Sequence, residues 1–415
     1  MSDKISQFAV MVKPIGSACN LRCRYCYYLP VHVSGGVKMT TETLEQLISN
    51  VISCSVGPVV SFVWHGGEPT LAGLDFYRKA VELQKKYLPE GWEAWNNLQT
   101  NGFALNDEWA QFLKENHFDV GLSIDGTKAN HDFYRRDVSG NETYDRVRDN
   151  VLLLKKYGIR ADLLCTVTSN TVKDPIGVYE ALKDLGTGWI QFIPVINRTG
   201  DGTILPESVS PEQYGDFLCT IFNRWIYHDL GKVNVQLFIE MLNTLAGGKA
   251  SLCWLQETCG KVPVIEADGG VYSCDHFVRD QYKIGTVDQP ISDLLSKGPQ
   301  SDFQVMKREG LTQKCRNCPY LELCYGGCPK DRFLVNEDGE EGQYYLCEGL
   351  RQLFRVASGP MRRLVELNAA HISQQNIMKI LLEDERRLWK NVGRNDDCPC
   401  GSGKKAKKCC LPRRP

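Results

Sequence analysis

Between residue 8 and about residue 230 the chain repeats one unit, a short apolar run followed by a helical pattern. The runs Phe8–Lys13, Val59–Trp64, Trp95–Gln99, Asp119–Ile124, Asp162–Thr168 and Trp189–Pro194 predict strands. Thr41–Ser53, Leu74–Tyr87, Asp107–Asn116, Tyr144–Tyr157 and Asp174–Leu185 carry helical spacing between them. This alternation predicts βαβ units and a parallel sheet. Six units are too few for an eight-fold barrel, so the expected α/β fold is a partial (β/α)6 barrel. In such barrels chemistry sits at the C-terminal ends of the strands. The full 415 residues exceed what one core normally serves, so further domains are expected.

The loop after the first strand reads Cys19-Asn20-Leu21-Arg22-Cys23-Arg24-Tyr25-Cys26, a C-x3-C-x2-C spacing. Three thiolates can hold three irons of a cubane and leave the fourth open to a small molecule. Closed iron–sulfur sites use four cysteines. The competing reading is a structural zinc knuckle. The chain has 18 cysteines. Its start offers only the apolar run Phe8–Val12, too short for a secretory segment, so a cytoplasmic protein with reduced thiols is expected. Clustered cytosolic cysteines point to metal sites. Cys54, Cys165 and Cys219 stand apart and are expected to be small buried hydrophobes. A 42% hydrophobic, 24% charged composition with net charge −1 is that of a soluble globular protein. It gives no general pull toward nucleic acid or membrane, and no apolar run is long enough to span a bilayer.

The second strand ends in His65-Gly66-Gly67-Glu68-Pro69. The glycines allow close approach of backbone to a ligand, and Glu68 offers acceptors for an ammonium group. The third strand ends in Gln99-Thr100-Asn101-Gly102, and the fourth in Ser123-Ile124-Asp125-Gly126 with Arg135 beyond. With the cysteine loop, these motifs resemble the radical S-adenosylmethionine (radical SAM) enzymes. That resemblance implies a [4Fe–4S] cluster on Cys19, Cys23 and Cys26, whose open iron takes the amino and carboxylate groups of SAM. The electron passed to SAM then yields a 5′-deoxyadenosyl radical. It implies SAM contacts from Tyr25, Gly66, Gly67, Glu68, Ser123, Arg135 and Ile196. Arg135 suits a carboxylate because its planar fork can bind both oxygens.

A second cysteine field holds Cys253, Cys259, Cys274, Cys315, Cys318, Cys324, Cys328 and Cys347. Eight thiolates can close two four-cysteine sites, and spacing alone leaves their pairing and the choice of zinc or iron open. The run Cys315-x2-Cys318-x5-Cys324-x3-Cys328 resembles the SPASM extension of peptide-modifying radical SAM enzymes. By that resemblance Cys253, Cys259, Cys274 and Cys328 hold one auxiliary [4Fe–4S] cluster, and Cys315, Cys318, Cys324 and Cys347 the other, making three in all. Asp275 directly follows Cys274. Lys13-Pro14, Gly66 to Gly73, Leu98 to Gly102, Val120 to Gly126 and Gly326 to Lys330 extend the resemblance, specifically to the anaerobic sulfatase-maturating enzymes. Those enzymes oxidise a Ser or Cys in an unfolded sulfatase segment to Cα-formylglycine. Asp275 is then the proton acceptor, expected to have a raised pKa beside an anionic cluster. By the resemblance Tyr28 faces the substrate, although an aromatic there equally suits the core, and His276 is expected to pack behind Asp275. An electron donor such as flavodoxin or ferredoxin is implied. The same scaffold serves enzymes that form thioether or carbon–carbon crosslinks, which is the second enzymatic reading. A metal-bound interaction protein without activity is the non-enzymatic one.

Residues 211–247 read as helices with an aromatic stripe, and residues 351–390 as charged helix. The tail carries Cys398-x-Cys400 and Cys409-Cys410 among basic residues including Arg394, Lys404, Lys405, Lys407, Lys408, Arg413 and Arg414. It resembles the SEC-C motif, which binds zinc. So small a module has almost no core, and its metal must supply folding energy. Its charge suits an acidic partner such as a chaperone, a ribosome or a translocation component. The expected organisation is a radical SAM region at 1–235, a SPASM region at 236–350, a helical segment at 351–390 and the zinc module at 391–415.

Overall fold

The computed structural model describes residues 9–29, 37–296 and 298–413; Phe8 and Arg414 lie outside the described residues. Contacts divide the chain into two compact units. The first comprises residues 1–124, 131–164 and 258–309, and the second 125–130, 165–257 and 310–415. These units cross the boundaries expected from the motifs.

The strands are β1 (Ala9–Val12), β2 (Val59–Trp64), β3 (Glu93–Thr100), β4 (Asp119–Ser123), β5 (Ala161–Val167), β6 (Trp189–Pro194), β7 (Asn234–Val235), β8 (Val264–Ile265), β9 (Gly270–Tyr272) and β10 (Lys283–Thr286). In the first unit they follow the order β10-β9-β8-β1-β2-β3-β4-β5. β1 to β5 are parallel, with Val10 beside Phe62, Phe62 beside Asn96, Leu98 beside Val120 and Leu122 beside Leu163. The other edge of β1 carries β8, parallel to it, while β9 and β10 run antiparallel. The sheet is therefore mixed, and β1 does not close it into a barrel. This added ribbon draws residues 258–309 into the first unit. β8 and β9, of two and three residues, are too short to show a period-2 pattern, so the sequence does not announce the ribbon.

The predicted helices form at Thr41–Cys54, Leu74–Tyr87, Asp107–Glu115 and Tyr144–Lys156 in the first unit and at Pro175–Asp184 in the second. The first is capped by Thr40, whose hydroxyl accepts from Thr43 N at 3.1 Å. Alternate residues of β2, namely Val60, Phe62 and Trp64, are buried. Trp64 meets Tyr77 edge-on at 5.5 Å and donates through Nε1 to Asn96 Oδ1 at 2.8 Å, so its polar edge is satisfied in the core.

In the second unit β7 pairs parallel with β6, and Val195 N donates to Val167 O at 2.9 Å beyond the end of β5. Helix Pro211–Arg224 opens with a full capping box from Ser210 and Gln213. Its stripe Phe217, Leu218, Ile221 and Phe222, with Trp225 beyond, is wholly buried, as expected of core. Helices Cys347–Ala369 and Gln374–Trp389 occupy the predicted helical segment. Cys54, Cys165 and Cys219 are buried. Among the described residues no helix is long and apolar enough to cross a membrane.

Candidate active site

The cysteine loop follows β1 and is stitched down on both sides by backbone bonds. Arg22 N donates to Arg136 O at 2.7 Å and Arg24 N to Tyr134 O at 3.1 Å. On the other side Gly67 N donates to Gly16 O at 2.8 Å and Glu68 N to Ala18 O at 2.9 Å. A Cβ on Gly67 would lie 2.0 Å from Ala18 O, so only glycine lets the GGEP turn close on this loop. Gly66 has φ +123°, and a Cβ there would lie 2.9 Å from Gly16 O.

Glu68 is fully buried. Its Oε1 accepts from Thr70 N at 3.1 Å, Thr70 Oγ1 at 2.6 Å and Thr100 Oγ1 at 2.7 Å, and its Oε2 from Asn101 N at 2.7 Å. Burial raises its pKa despite these donors. Among the described residues Oε2 accepts one bond, leaving a lone pair for an ammonium group. Glu68 thus clamps the end of β3 to the GGEP turn as well as offering an acceptor. Tyr25 and Arg135, both buried, come together, with the guanidinium carbon 5.4 Å from the ring centroid. Ser123 accepts from Gln99 Nε2 at 3.3 Å. Ile196 is buried beyond β6 in the second unit.

The β8–β9 hairpin brings two carboxylates to Lys13, which is wholly buried. Lys13 forms an ion pair with Asp275 and stands 3.8 Å from Glu266 Oε1. Its ammonium lies 3.5 Å from the Tyr28 ring centroid. Tyr28 OH donates to both Glu266 oxygens, at 2.7 and 2.8 Å. Tyr27 OH donates to Asp275, and the Tyr27 ring meets His276 edge-on at 5.3 Å.

Burial would raise the Asp275 carboxyl, but Lys13, then His65 and His276, outweigh it and hold it well below the usual carboxylate range. Asp275 is an ion-paired carboxylate. Tyr28 turns into the core toward Glu266, while the neighbouring Tyr27, 44% exposed, reaches Asp275. His276 packs on Tyr27, as expected of a supporting residue. His65 accepts from Gly66 N through Nδ1 at 2.7 Å, and burial lowers its pKa while Asp275 opposes that fall. Lys13 and Glu266 carried no sequence role. Each is a lone charge after an apolar run, and 253 residues separate them along the chain.

The cysteine sets differ in how tightly they converge. Among the described residues one set gathers closely enough for a single ion, Cys398, Cys400, Cys409 and Cys410, with all four Sγ atoms within 4.8 Å of one another. Tetrahedral zinc with Zn–S near 2.3 Å needs sulfurs about 3.8 Å apart. Cys400 and Cys409 lie at 3.5 Å, and Cys409 and Cys410 at 3.7 Å. By contrast Cys315, Cys318, Cys324 and Cys347 line a cavity of about 120 Å3 with Tyr344 and Phe354. That spread suits a polynuclear cluster. Burial pushes the Cys347 thiol up to about 12, so its thiolate needs a cation; its place at the start of helix Cys347–Ala369 helps. Cys328 behaves alike, raised to about 12 by burial, with Asp331 and Cys253 adding to the effect. Cys259 and Cys274 belong to the first unit. Cys19 is pushed up to about 11, chiefly by burial, and Leu21 N and the Asn101 amide act against that rise. Buried thiols of this kind fit an iron cluster that would bind them as thiolates.

Comparison with known proteins agrees with this chemistry. Residues 14–183 match the radical SAM superfamily, residues 253–319 an iron–sulfur cluster-binding domain of the SPASM type, and residues 394–412 the SEC-C motif. Fold and site therefore define a radical SAM protein with a SPASM extension, which binds SAM and [4Fe–4S] clusters. A serine-type anaerobic sulfatase-maturating enzyme of Bacteroides thetaiotaomicron is 38% identical over 91% of this chain and 96% of its own length. A cysteine-type enzyme of Clostridium perfringens is 35% identical over 84% and 96%. The solved structure of native anSMEcpe with bound AdoMet and Cp18Cys peptide superposes with a TM-score of 0.79 at 34% identity, covering 86% of this chain and 99% of that one. The chain belongs to the anaerobic sulfatase-maturating enzymes.

Proposed function

We propose that this protein oxidises a Ser or Cys side chain in an incompletely folded sulfatase segment to Cα-formylglycine. The observation that carries this reading is Asp275: a carboxylate directly after a cluster cysteine, paired with a buried lysine, in the same compact unit as the cysteine loop. The target loses a hydrogen atom from Cβ, a proton from its oxygen or sulfur, and one electron. When bound, the cluster on Cys19, Cys23 and Cys26 with SAM supplies the hydrogen-abstracting carbon radical, and the auxiliary clusters supply an electron acceptor. The side chains do the rest. Glu68 and the Gly66–Gly67 backbone receive the SAM amino group, and Arg135 its carboxylate. Tyr25 and Ser123 complete that pocket, and the family resemblance adds Ile196 as a further SAM contact. Asp275 takes the proton, Lys13 fixes its carboxylate, and Tyr27 closes its outer side.

The family assignment supports Cys253, Cys259, Cys274 and Cys328 for one auxiliary cluster and Cys315, Cys318, Cys324 and Cys347 for the other. The tight Cys398, Cys400, Cys409 and Cys410 set supports zinc in the tail. The exposed Lys404, Lys405, Lys407 and Lys408 beside it suit an acidic chaperone, ribosomal or translocation partner. A flavodoxin or ferredoxin serves as reductant, and the reaction takes place in the cytoplasm before the sulfatase folds. The motif regions 1–235, 236–350, 351–390 and 391–415 remain the functional division of the chain. Reconstituted protein, SAM and reductant are incubated without oxygen with Ser- and Cys-containing sulfatase peptides, and the products are weighed by mass spectrometry. Loss of two mass units from Ser, or conversion of Cys to the aldehyde, is expected. A crosslinked product would replace this reading with the crosslinking one.

A further inference from the structure

We propose that Asn101 sets the reduction potential of the cluster held by Cys19, Cys23 and Cys26, and ties that cluster mechanically to Glu68. This rests on the reading that these three cysteines carry a cluster. Asn101 follows β3 and is 8% exposed. Its side-chain Nδ2 donates to Cys19 Sγ at 3.6 Å and to Asn20 Oδ1 at 2.8 Å. Its Oδ1 accepts from Phe103 N at 2.9 Å, which fixes the amide so that its donors face the sulfur. Its backbone N–H donates to Glu68 Oε2 at 2.7 Å. One residue therefore touches both a cluster sulfur and the carboxylate of the GGEP turn.

The physical effect follows from charge. An N–H aimed at a thiolate sulfur draws electron density from it and stabilises the reduced, more negative cluster. Leu21 N supplies a second such donor to Cys19 Sγ at 3.4 Å, but it is backbone and unchanged by substitution. Asn101 is the donor that a side-chain change can remove. Asp is nearly isosteric. In N101D one oxygen still accepts from Phe103 N, while the other replaces the donor with a carboxylate oxygen facing sulfur.

The test is a redox titration of the reconstituted full-length protein followed by electron paramagnetic resonance. The N-terminal cluster is recognised by the change in its signal when SAM is added. N101D is expected to lower the reduced-to-oxidised ratio at a fixed potential at least tenfold, or ~59 mV for one electron. N101A should shift it the same way by less. A purely structural role would lower iron content or SAM affinity and leave the potential of the loaded cluster in place. An unchanged or raised potential in cluster-replete N101D or N101A overturns the proposal. Absence of any SAM-responsive cluster signal in the unsubstituted protein overturns the cluster reading itself.

Discussion

Replacing Gly67 by alanine tests how closely the GGEP turn must sit on the cysteine loop. The added Cβ would lie 2.0 Å from Ala18 O and 2.6 Å from Ala18 C, both backbone atoms. Real Cβ contacts essentially never fall below 3.0 Å, so the two loops must part by about 1 Å. No rotamer change relieves this, because both partners are main chain. Parting stretches the bonds from Gly67 N to Gly16 O and from Glu68 N to Ala18 O, each worth about 1 kcal/mol. It also moves Cys19, the next residue after Ala18, relative to Glu68. A displacement of about 1 Å at a positioned reacting group costs on the order of 100-fold in rate. The assay is 5′-deoxyadenosine formation by reduced, reconstituted G67A at saturating SAM, normalised to iron content. A loss of about 100-fold is expected. G359A is the control, since a Cβ there meets nothing within 4 Å in helix Cys347–Ala369; it should keep full rate. If G67A with a full complement of iron stays within about threefold of the parent, the close-packing argument is wrong.

D275N should still cleave SAM but lose formylglycine formation by about 10²- to 10⁴-fold, the usual worth of a general base. Equal losses in both products would contradict a proton-acceptor role. K13M leaves Asp275 and Glu266 without their buried cation. Removing one partner of a buried pair costs about 3–5 kcal/mol, so its melting temperature should fall, and K13M/D275N should fall by less than the two single changes summed. Strict additivity would show that the ion pair is not coupled. C400S should lose the tail's metal by elemental analysis and open residues 390–413 to protease, with iron content unchanged. Retention of one zinc per chain would refute the four-cysteine site.

The five strands from Val59–Trp64 to Trp189–Pro194 and the helices between them were legible because each is long enough to display its period, and the short Ala9–Val12 was legible from its place before the cysteine loop. The cysteines were legible because a metal site writes its ligands at short spacing. What escaped was long-range pairing. β8 has two residues, and nothing in Val264–Ile265 says that it runs beside Met11 and Val12. Lys13 and Asp275 meet because of that ribbon, and a charge predicted from its chain neighbours misses the cation that matters. The sequence reading of Asp275 lacked Lys13 for this reason. Tyr28 stayed open between substrate and core on a similar point, because adjacent tyrosines diverge and only the fold decides which one Glu266 claims.

The tail knuckle is not a loose end. Cys398, Ala406, Cys409 and Cys410 pack with Trp389 into one apolar cluster, with Val356 and Val392 against it. A ligand-bound module on a long flexible leash would sweep a wide volume and raise the local concentration of whatever it holds over many positions. Here the leash is already wound in. The lysines of the knuckle are held in place beside the last two helices. Removing a metal from the knuckle's four cysteines would therefore disturb the packing on Trp389 as well, and that indole's fluorescence would report the state of the tail.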